Sequence, residues 1–323
     1  MIIGFTSSFP VEVIYAAGYK PVDLNNVFIT GNAKKYVEDA EFEGYPRNIC
    51  SWIKGMYSVV LSSDIDAVIG VVEGDCSNTH SLMSTLQDKG IKIIPFSFPY
   101  NRNKVELEKE IKELEDYFLV EHSKVLEMKE RLDQIRKKLV QLDKLTYMEN
   151  KVTGLENHLW LVNSSDFNGG PNNFENRLDE FILEAENREP LKFNVRLGYL
   201  GVPPIISDLY DFFLENDANV VFNEIQRQFA MPYLEENLTD QYLKYTYPYS
   251  VFDRLEDIKV EIKKRKLNAV ISYSQSFCHR QIDNILLKKY IDIPFLTIEG
   301  DQPGDLDART KLRIESFLDM LRY

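Results

Sequence analysis

The sequence contains only three cysteines in 323 residues, an odd number that is too small for a disulfide scaffold. Basic charge is also scarce, since 38 Lys and Arg stand against 51 Asp and Glu and the formal net charge is −13. Nucleic-acid affinity comes mainly from a basic face that neutralises phosphates. The composition therefore argues against a nucleic-acid partner.

Long apolar runs are absent as well, because no stretch approaches the length needed to cross a bilayer. Residues 1–5 read directly as a strand, without the basic and apolar regions of a signal peptide. We therefore expect a cytoplasmic protein with no membrane partner. In that reducing compartment a thiol or metal role explains the cysteines better than disulfides do. The GxxxxGK[ST] signature of ATP binding is also missing.

What the sequence does contain is an internal repeat with an offset of 202 residues. Residues 45–76 align without a gap on residues 247–278, so that Cys76 falls on Cys278. A Tyr-Pro pair begins both copies, and an Ala-Val-Ile strand precedes both cysteines. The repeat predicts two domains of the same fold.

Short β-branched apolar runs alternate with helical patterns in both halves, as in βαβ units with a buried parallel sheet. We predict an α/β protein with two tandem doubly wound parallel-sheet domains, related by internal duplication and joined by a helical segment. The expected boundaries are 1–100, 101–190 and 191–323. The predicted strands are Ile2–Thr6, Ala67–Val72, Ile91–Ser97, Asn194–Leu200, Asn219–Phe222, Ala269–Ser274 and Pro294–Ile298.

The connecting segment has apolar residues at intervals of three and four between Ile111 and Leu142. A coiled coil would also show such spacing. One or two helices that pack on the domains are the better interpretation. Residues 163–173, with a Gly-Gly-Pro sequence, read as a loop or turn.

The cysteines are expected at helix N-termini, next to the carboxyl ends of strands. Cys76 and Cys278 each follow a strand and precede a helix, and Cys50 begins the helix that contains Trp52. Open α/β sheets bind ligands at this edge, and a helix N-terminus favours a thiolate over a thiol. If the two crevices face each other, the three thiolates can hold a 4Fe-4S cluster with one iron that no protein thiolate binds.

The residues alone leave two other interpretations open. Cysteine is often buried simply for packing, and no CxxC or ferredoxin-like run is present. A zinc site with His80 or His279 as the fourth ligand is the second alternative. Ser51, Glu73, His80 and His279 adjoin the cysteines and are the candidate catalytic residues, although capping, solvent contact or support of the cluster ligands explains each of them more simply.

The chain resembles the 2-hydroxyacyl-CoA dehydratase family of the D-component type, whose iron–sulfur subunits are related to those of benzoyl-CoA reductase. The resemblance covers nearly the whole chain in order. It is carried by FPVEVIYAAGYKPV at 9–22, Cys50 before a helix, Cys76 after a strand, Phe277-Cys278, IEGD at 298–301 and RIESF at 313–317.

The resemblance implies that Cys50, Cys76 and Cys278 hold the 4Fe-4S cluster. It also implies a lyase or reductase subunit, in which one electron converts an acyl-CoA thioester into a ketyl radical anion that can lose a hydroxyl group. A separate ATP-hydrolysing iron–sulfur activator would supply that electron under anaerobic conditions, and a homologous second subunit or a homodimer is a further expected partner. The competing functions are a cluster-carrying electron-transfer or accessory protein, and a metal-free interaction protein with the same fold.

Overall fold

The structure, a computed structural model, describes residues 1–322 and has an α/β fold with two four-stranded sheets. Every paired strand runs parallel to its neighbours. The strand orders are β2-β1-β3-β4 and β6-β5-β7-β8. The strands are β1 Ile2–Phe5, β2 Lys20–Asp23, β3 Ala67–Glu73, β4 Lys92–Ser97, β5 Val195–Leu200, β6 Ala218–Asn223, β7 Ala269–Ser274 and β8 Phe295–Glu299.

Helices flank both sheets and fill the crossovers between the parallel strands, as such connections require. They are α1 Val11–Ala16, α2 Leu24–Thr30, α3 Ala33–Phe42, α4 Ser51–Ser62, α5 Asn78–Asp88, α6 Lys104–Tyr117, α7 His122–Tyr147, α8 Gly154–Asn163, α9 Pro171–Glu186, α10 Leu209–Glu215, α11 Glu224–Phe229, α12 Leu238–Lys244, α13 Val251–Arg265, α14 Arg280–Tyr290 and α15 Ala308–Met320.

The two sheets confirm the predicted fold, and their identical strand order agrees with the internal repeat. The central strands β3 and β7 are buried because each is covered by helices on both faces. The offset of 202 residues carries α5 onto α14 from its first residue to its last. Helix α13, which ends at Arg265, likewise takes the place of α4.

The chain forms two compact units, each built from several segments. The first unit comprises residues 1–137, 163–176 and 229–250, and the second comprises 138–162, 177–228 and 251–323. Each unit contains one of the sheets and its own buried apolar core. In residues 1–322 no helix combines the length and apolar character needed to cross a membrane.

Two local predictions differ from the structure. Strand β2 is not among the predicted strands; it is a four-residue edge strand whose register pairs Pro21 with Ile3 of β1. Proline removes a backbone donor and is tolerated at a sheet edge, but it weakens the sequence signal for a strand. The predicted loop or turn at 163–173 includes a short 3-10 turn at Phe167–Gly169, but it is wrong at its end, because α9 begins at Pro171. Proline suits a first helical position.

Candidate functional site

Cys50 occupies the N-cap position of α4, with extended backbone angles of φ −49° and ψ 131°. Its carbonyl oxygen accepts the first hydrogen bond of the helix from the Lys54 N–H, at 3.2 Å. The thiol is partly buried. Because α4 leads into the amino end of β3, its N-terminus lies at the carboxyl edge of the first sheet.

Cys76 lies at the same edge, two residues after the turn at Gly74 that ends β3. Its carbonyl oxygen accepts the Thr79 N–H at 2.9 Å, so a helical turn begins at the cysteine before α5 proper. Ser77 occupies the N-cap position, but its side chain makes no capping hydrogen bond. Cys76 is a partly buried thiol, like Cys50.

The turn before Cys76 is held by a distant segment of the same unit. Gly74 has φ +91°, and a Cβ atom there would approach Pro248 Cβ to 2.7 Å and Phe98 Cβ to 2.9 Å. The Tyr247 hydroxyl donates to Asp75 Oδ1 at 3.3 Å. The second copy of the repeated Tyr-Pro pair therefore supports the Cys76 turn directly.

Cys278 has the equivalent position in the second unit, after β7 and before α14. Its carbonyl oxygen accepts the Gln281 N–H at 3.0 Å, and its own N–H donates to the Gln275 carbonyl at 3.1 Å. The preceding Phe277 has φ +61° and is 76% exposed. All three cysteines therefore lie at helix starts on carboxyl edges of sheets, which confirms their predicted placement but not their predicted role.

The four candidate catalytic residues have different environments. Ser51 is buried at the first position of α4. Glu73 is exposed, and its carboxylate accepts the Tyr100 N–H at 3.3 Å. His80 is exposed, and its carbonyl oxygen accepts the Ser84 hydroxyl at 3.0 Å. These contacts are those of ordinary turn and helix residues, so their catalytic roles stay predictions.

His279 is the N-cap residue of α14. Partial burial lowers the pKa of its imidazole, and the nearby charges of Arg280 and Arg254 act in the same direction, opposed by Asp283. The neutral imidazole is therefore favoured. A neutral ring can accept or donate a hydrogen bond next to Cys278.

A buried ion pair that the sequence did not predict lies at the carboxyl edge of the second sheet. Arg254, in the first turn of α13, donates to both carboxylate oxygens of Glu224, at 2.8 and 3.0 Å. Glu224 Oε2 also accepts the Gly201 N–H at 3.1 Å. The one indication in the sequence was the internal repeat, whose offset of 202 residues aligns Arg254 with Trp52.

Two buried donors lie beside the cysteines of the first unit. Trp52 Nε1 and Thr79 Oγ1, in the first turns of α4 and α5, have no hydrogen-bond partner within residues 1–322. Trp52 is 8% exposed and Thr79 is fully buried. A buried donor without a partner is unfavourable unless a ligand satisfies it. Such donors suit the inorganic sulfides of an iron–sulfur cluster, whose hydrogen bonds tune its potential.

The described part of the chain contains no ready-made set of metal ligands. Within residues 1–322, no group of three or more His, Cys, Asp and Glu side chains could hold a metal ion. The donor chemistry nevertheless fits an iron–sulfur cluster better than a hard cation, because the shared feature of the repeated positions is a thiol. The ligand set of Cys50, Cys76 and Cys278 therefore stays a proposal.

The family model described as 2-hydroxyglutaryl-CoA dehydratase, D-component, matches residues 6–321, which is almost the entire chain. A comparison with curated proteins found no match. The matched range covers every strand except β1 and includes all three cysteines.

Proposed function

The chain belongs to the 2-hydroxyglutaryl-CoA dehydratase D-component family, and from that premise we propose that it is an iron–sulfur subunit for reductive dehydration of an acyl-CoA thioester. The proposed cofactor is a 4Fe-4S cluster held by Cys50, Cys76 and Cys278, with one iron that no protein thiolate binds. The proposed reaction is a one-electron dehydration of a 2-hydroxyacyl-CoA through a ketyl radical, with electrons from an ATP-hydrolysing activator.

The observation that carries this proposal is the equivalent setting of the thiols. Cys76 and Cys278 are 202 residues apart, follow equivalent strands, and each accept a first-turn N–H through the carbonyl oxygen. Cys50 does the same at the start of α4. Packing alone does not require a cysteine after both of the equivalent strands β3 and β7. A shared role as thiolate ligands explains why both positions have one.

The chain's own residues favour the ionised form of these thiols. Each cysteine lies at the start of α4, α5 or α14, where the helix dipole is positive. These helices have 11 or 12 residues each. The N–H of Trp52 and the O–H of Thr79 are available to stabilise negative charge at the first sheet edge.

When bound, the cluster would supply one-electron chemistry and an iron able to polarise a substrate oxygen. Around it, Asp75 and Tyr247 keep the Cys76 turn in place through their hydrogen bond. In the second unit, Asp301 Oδ1 accepts the Ser276 N–H at 2.6 Å and so fixes the turn that leads to Cys278. These contacts orient the ligands rather than react.

Anaerobic reconstitution with iron and sulfide tests the proposal. We expect a brown protein with roughly four irons per chain, whose paramagnetic spectrum after one-electron reduction changes when a 2-hydroxyacyl-CoA is added. Iron incorporation without a response to any acyl-CoA would indicate the cluster-carrying electron-transfer or accessory function instead. A colourless protein with metal-free thiols would contradict both.

A further inference from the structure

Helix α14 begins two residues after Cys278 and is tied to α13 through Asp283, which lies in its first turn. Arg254 Nη1 donates a hydrogen bond to Asp283 Oδ2 at 3.1 Å. Arg254 lies in the first turn of α13 and is 2% exposed. The contact therefore joins the starts of two helices, one of which follows a proposed cluster ligand.

The same guanidinium is anchored to the carboxyl edge of the second sheet. Its Nε and Nη2 donate to the two carboxylate oxygens of Glu224, at 2.8 and 3.0 Å. Glu224 directly follows β6, is fully buried, and also accepts the N–H of Gly201, which directly follows β5. Because a guanidinium is planar and its N–H groups have fixed directions, Arg254 fixes the position of Asp283 relative to these two strand ends.

The equivalent positions of the first unit cannot form this network. The offset of 202 residues aligns Arg254 with Trp52 and Asp283 with Ser81, and neither Trp52 nor Ser81 carries a charge. A buried ion pair contributes little net stability, but it can specify one arrangement of the elements that it joins. Duplication therefore does not explain the network, which is specific to the second unit at these positions.

The two units also differ in the number of proposed ligands that they supply. The first unit has two, Cys50 at the start of α4 and Cys76 before α5. The second unit has Cys278 alone, because Phe252 takes the place of Cys50 at the start of α13. A ligand that is single in its unit receives no support from a neighbouring ligand there, so its position depends on the contacts that hold its own helix.

We propose that Arg254 is a positioning residue for Cys278, on which it acts through Asp283 and the first turn of α14. The Cys278 carbonyl oxygen belongs to that turn because it accepts the Gln281 N–H at 3.0 Å. Helix α13 thus anchors a helix that follows a ligand, whereas its counterpart α4 begins with a ligand itself. The inference rests on the proposed function where it concerns iron, but the fixed position of Cys278 does not require iron.

The test variant is Asp283→Ala, because substitution of Arg254 would leave the buried Glu224 without its ion-pair partner. In Asp283→Ala, Arg254 keeps Glu224. Helix α14 also stays attached to β7, since Asn284 Oδ1 accepts the Ser272 hydroxyl at 2.7 Å. The variant should therefore fold and lose only the connection between α13 and α14.

The matched control is Asp257→Ala. Asp257 lies on α13 and is ion-paired with the buried Arg227 of the same unit. Its side chain is 15% exposed, against 21% for Asp283. The control therefore removes a similarly buried carboxylate without touching α14. A second comparison, Asp283→Asn, retains an oxygen that can accept the Arg254 N–H.

The first measurement uses the metal-free full-length chain with Cys50→Ser and Cys76→Ser, and a nitroxide spin label on Cys278. We expect Asp283→Ala to shorten the rotational correlation time of the label at least about twofold. Asp257→Ala should leave it unchanged, and Asp283→Asn should restore most of the original immobility. Unchanged label motion in Asp283→Ala, or equal changes in both alanine variants, would overturn the proposal.

The second measurement uses the chain with its three cysteines after anaerobic reconstitution. Asp283→Ala should release iron to a chelator at least about tenfold faster than the wild type, whereas Asp257→Ala should stay within about twofold. Equal release by Asp283→Ala and the wild type would also overturn the proposal. A chain that shows the expected label motion but binds no iron would refute the proposed function and leave the positioning of Cys278 supported.

Discussion

At the scale of single residues, the turn before Cys76 depends on a glycine for two separate reasons. Gly74 has a left-handed backbone, and Pro248 and Phe98 leave no room for a side chain. Gly90 has a similar φ of +84° but open space around it. The two positions therefore separate backbone strain from steric clash.

We predict that Gly74→Ala lowers the free energy of unfolding by about 1–3 kcal/mol more than Gly90→Ala does. Both substitutions place alanine in a left-handed backbone conformation, which costs about 1–2 kcal/mol. Only in Gly74→Ala does the added Cβ also clash with Pro248 and Phe98. Urea titration of both variants measures the difference. Equal losses would show that segment 245–250 does not pack tightly on this turn.

A buried pair of carboxyl groups gives a residue-scale prediction for pH. The Asp23 N–H donates to Asp166 Oδ2 at 2.8 Å, and Ser165 donates to Asp23 Oδ2 at 2.6 Å. Burial, followed by the charge of Asp23, raises the pKa of Asp166 to about 7. The folded state therefore binds a proton on Asp166 that the unfolded state has already lost above its ordinary pKa of 3.8.

This difference in proton binding makes the folded state less stable as pH rises from about 4 to 7. The contribution to the slope is at most about 1.4 kcal/mol per pH unit. Asp166→Asn should remove it, so stability measured by urea unfolding at several pH values should fall less steeply than in the wild type. The exposed Asp88→Asn serves as control. An unchanged slope in Asp166→Asn would contradict the assignment.

At the scale of elements, α3 covers α4 through a buried charge. Lys54 of α4 is fully buried, and its Nζ lies 2.7 Å from Glu41 Oε1 of α3. It also donates to the Arg47 carbonyl at 3.2 Å. Burying an ion pair contributes little net stability, but removing one partner leaves an uncompensated charge.

We therefore expect Glu41→Gln to destabilise the protein by roughly 2–3 kcal/mol, because the buried side chain of Lys54 loses its carboxylate partner. Lys54→Met should change stability by less than about 1.5 kcal/mol, since methionine fills a similar volume without charge. Thermal unfolding of the two variants and of their double mutant gives the comparison. A larger loss for Lys54→Met would show that the pair itself stabilises the packing of α3 on α4.

Elements also show what the sequence could and could not predict. Strands such as β3 and β7 were predictable because they are mostly apolar, β-branched and largely buried. Strand β2 was not, because Lys20-Pro21-Val22-Asp23 becomes a strand only by pairing with β1. The contact of Tyr247 with Asp75 joins residues 172 positions apart, and no local pattern encodes such a separation.

At the scale of the whole molecule, duplication followed by divergence describes the chain. Both units retain the sheet order and a cysteine at the start of the equivalent helices α5 and α14. They differ where α4 is covered by α2 and α3 while α13 is exposed, and where Cys50 corresponds to Phe252. The repeat predicted the shared features. It did not predict that α2 and α3 cover α4, because that depends on how these three helices pack against one another.

The central claim is that thiols from both units bind one iron–sulfur cluster. Iron and sulfide content after anaerobic reconstitution, measured for Cys50→Ser, Cys76→Ser and Cys278→Ser beside the wild type, tests it most directly. We predict that Cys278→Ser loses iron as severely as the other two variants. Iron retention at the wild-type level in Cys278→Ser would contradict the claim.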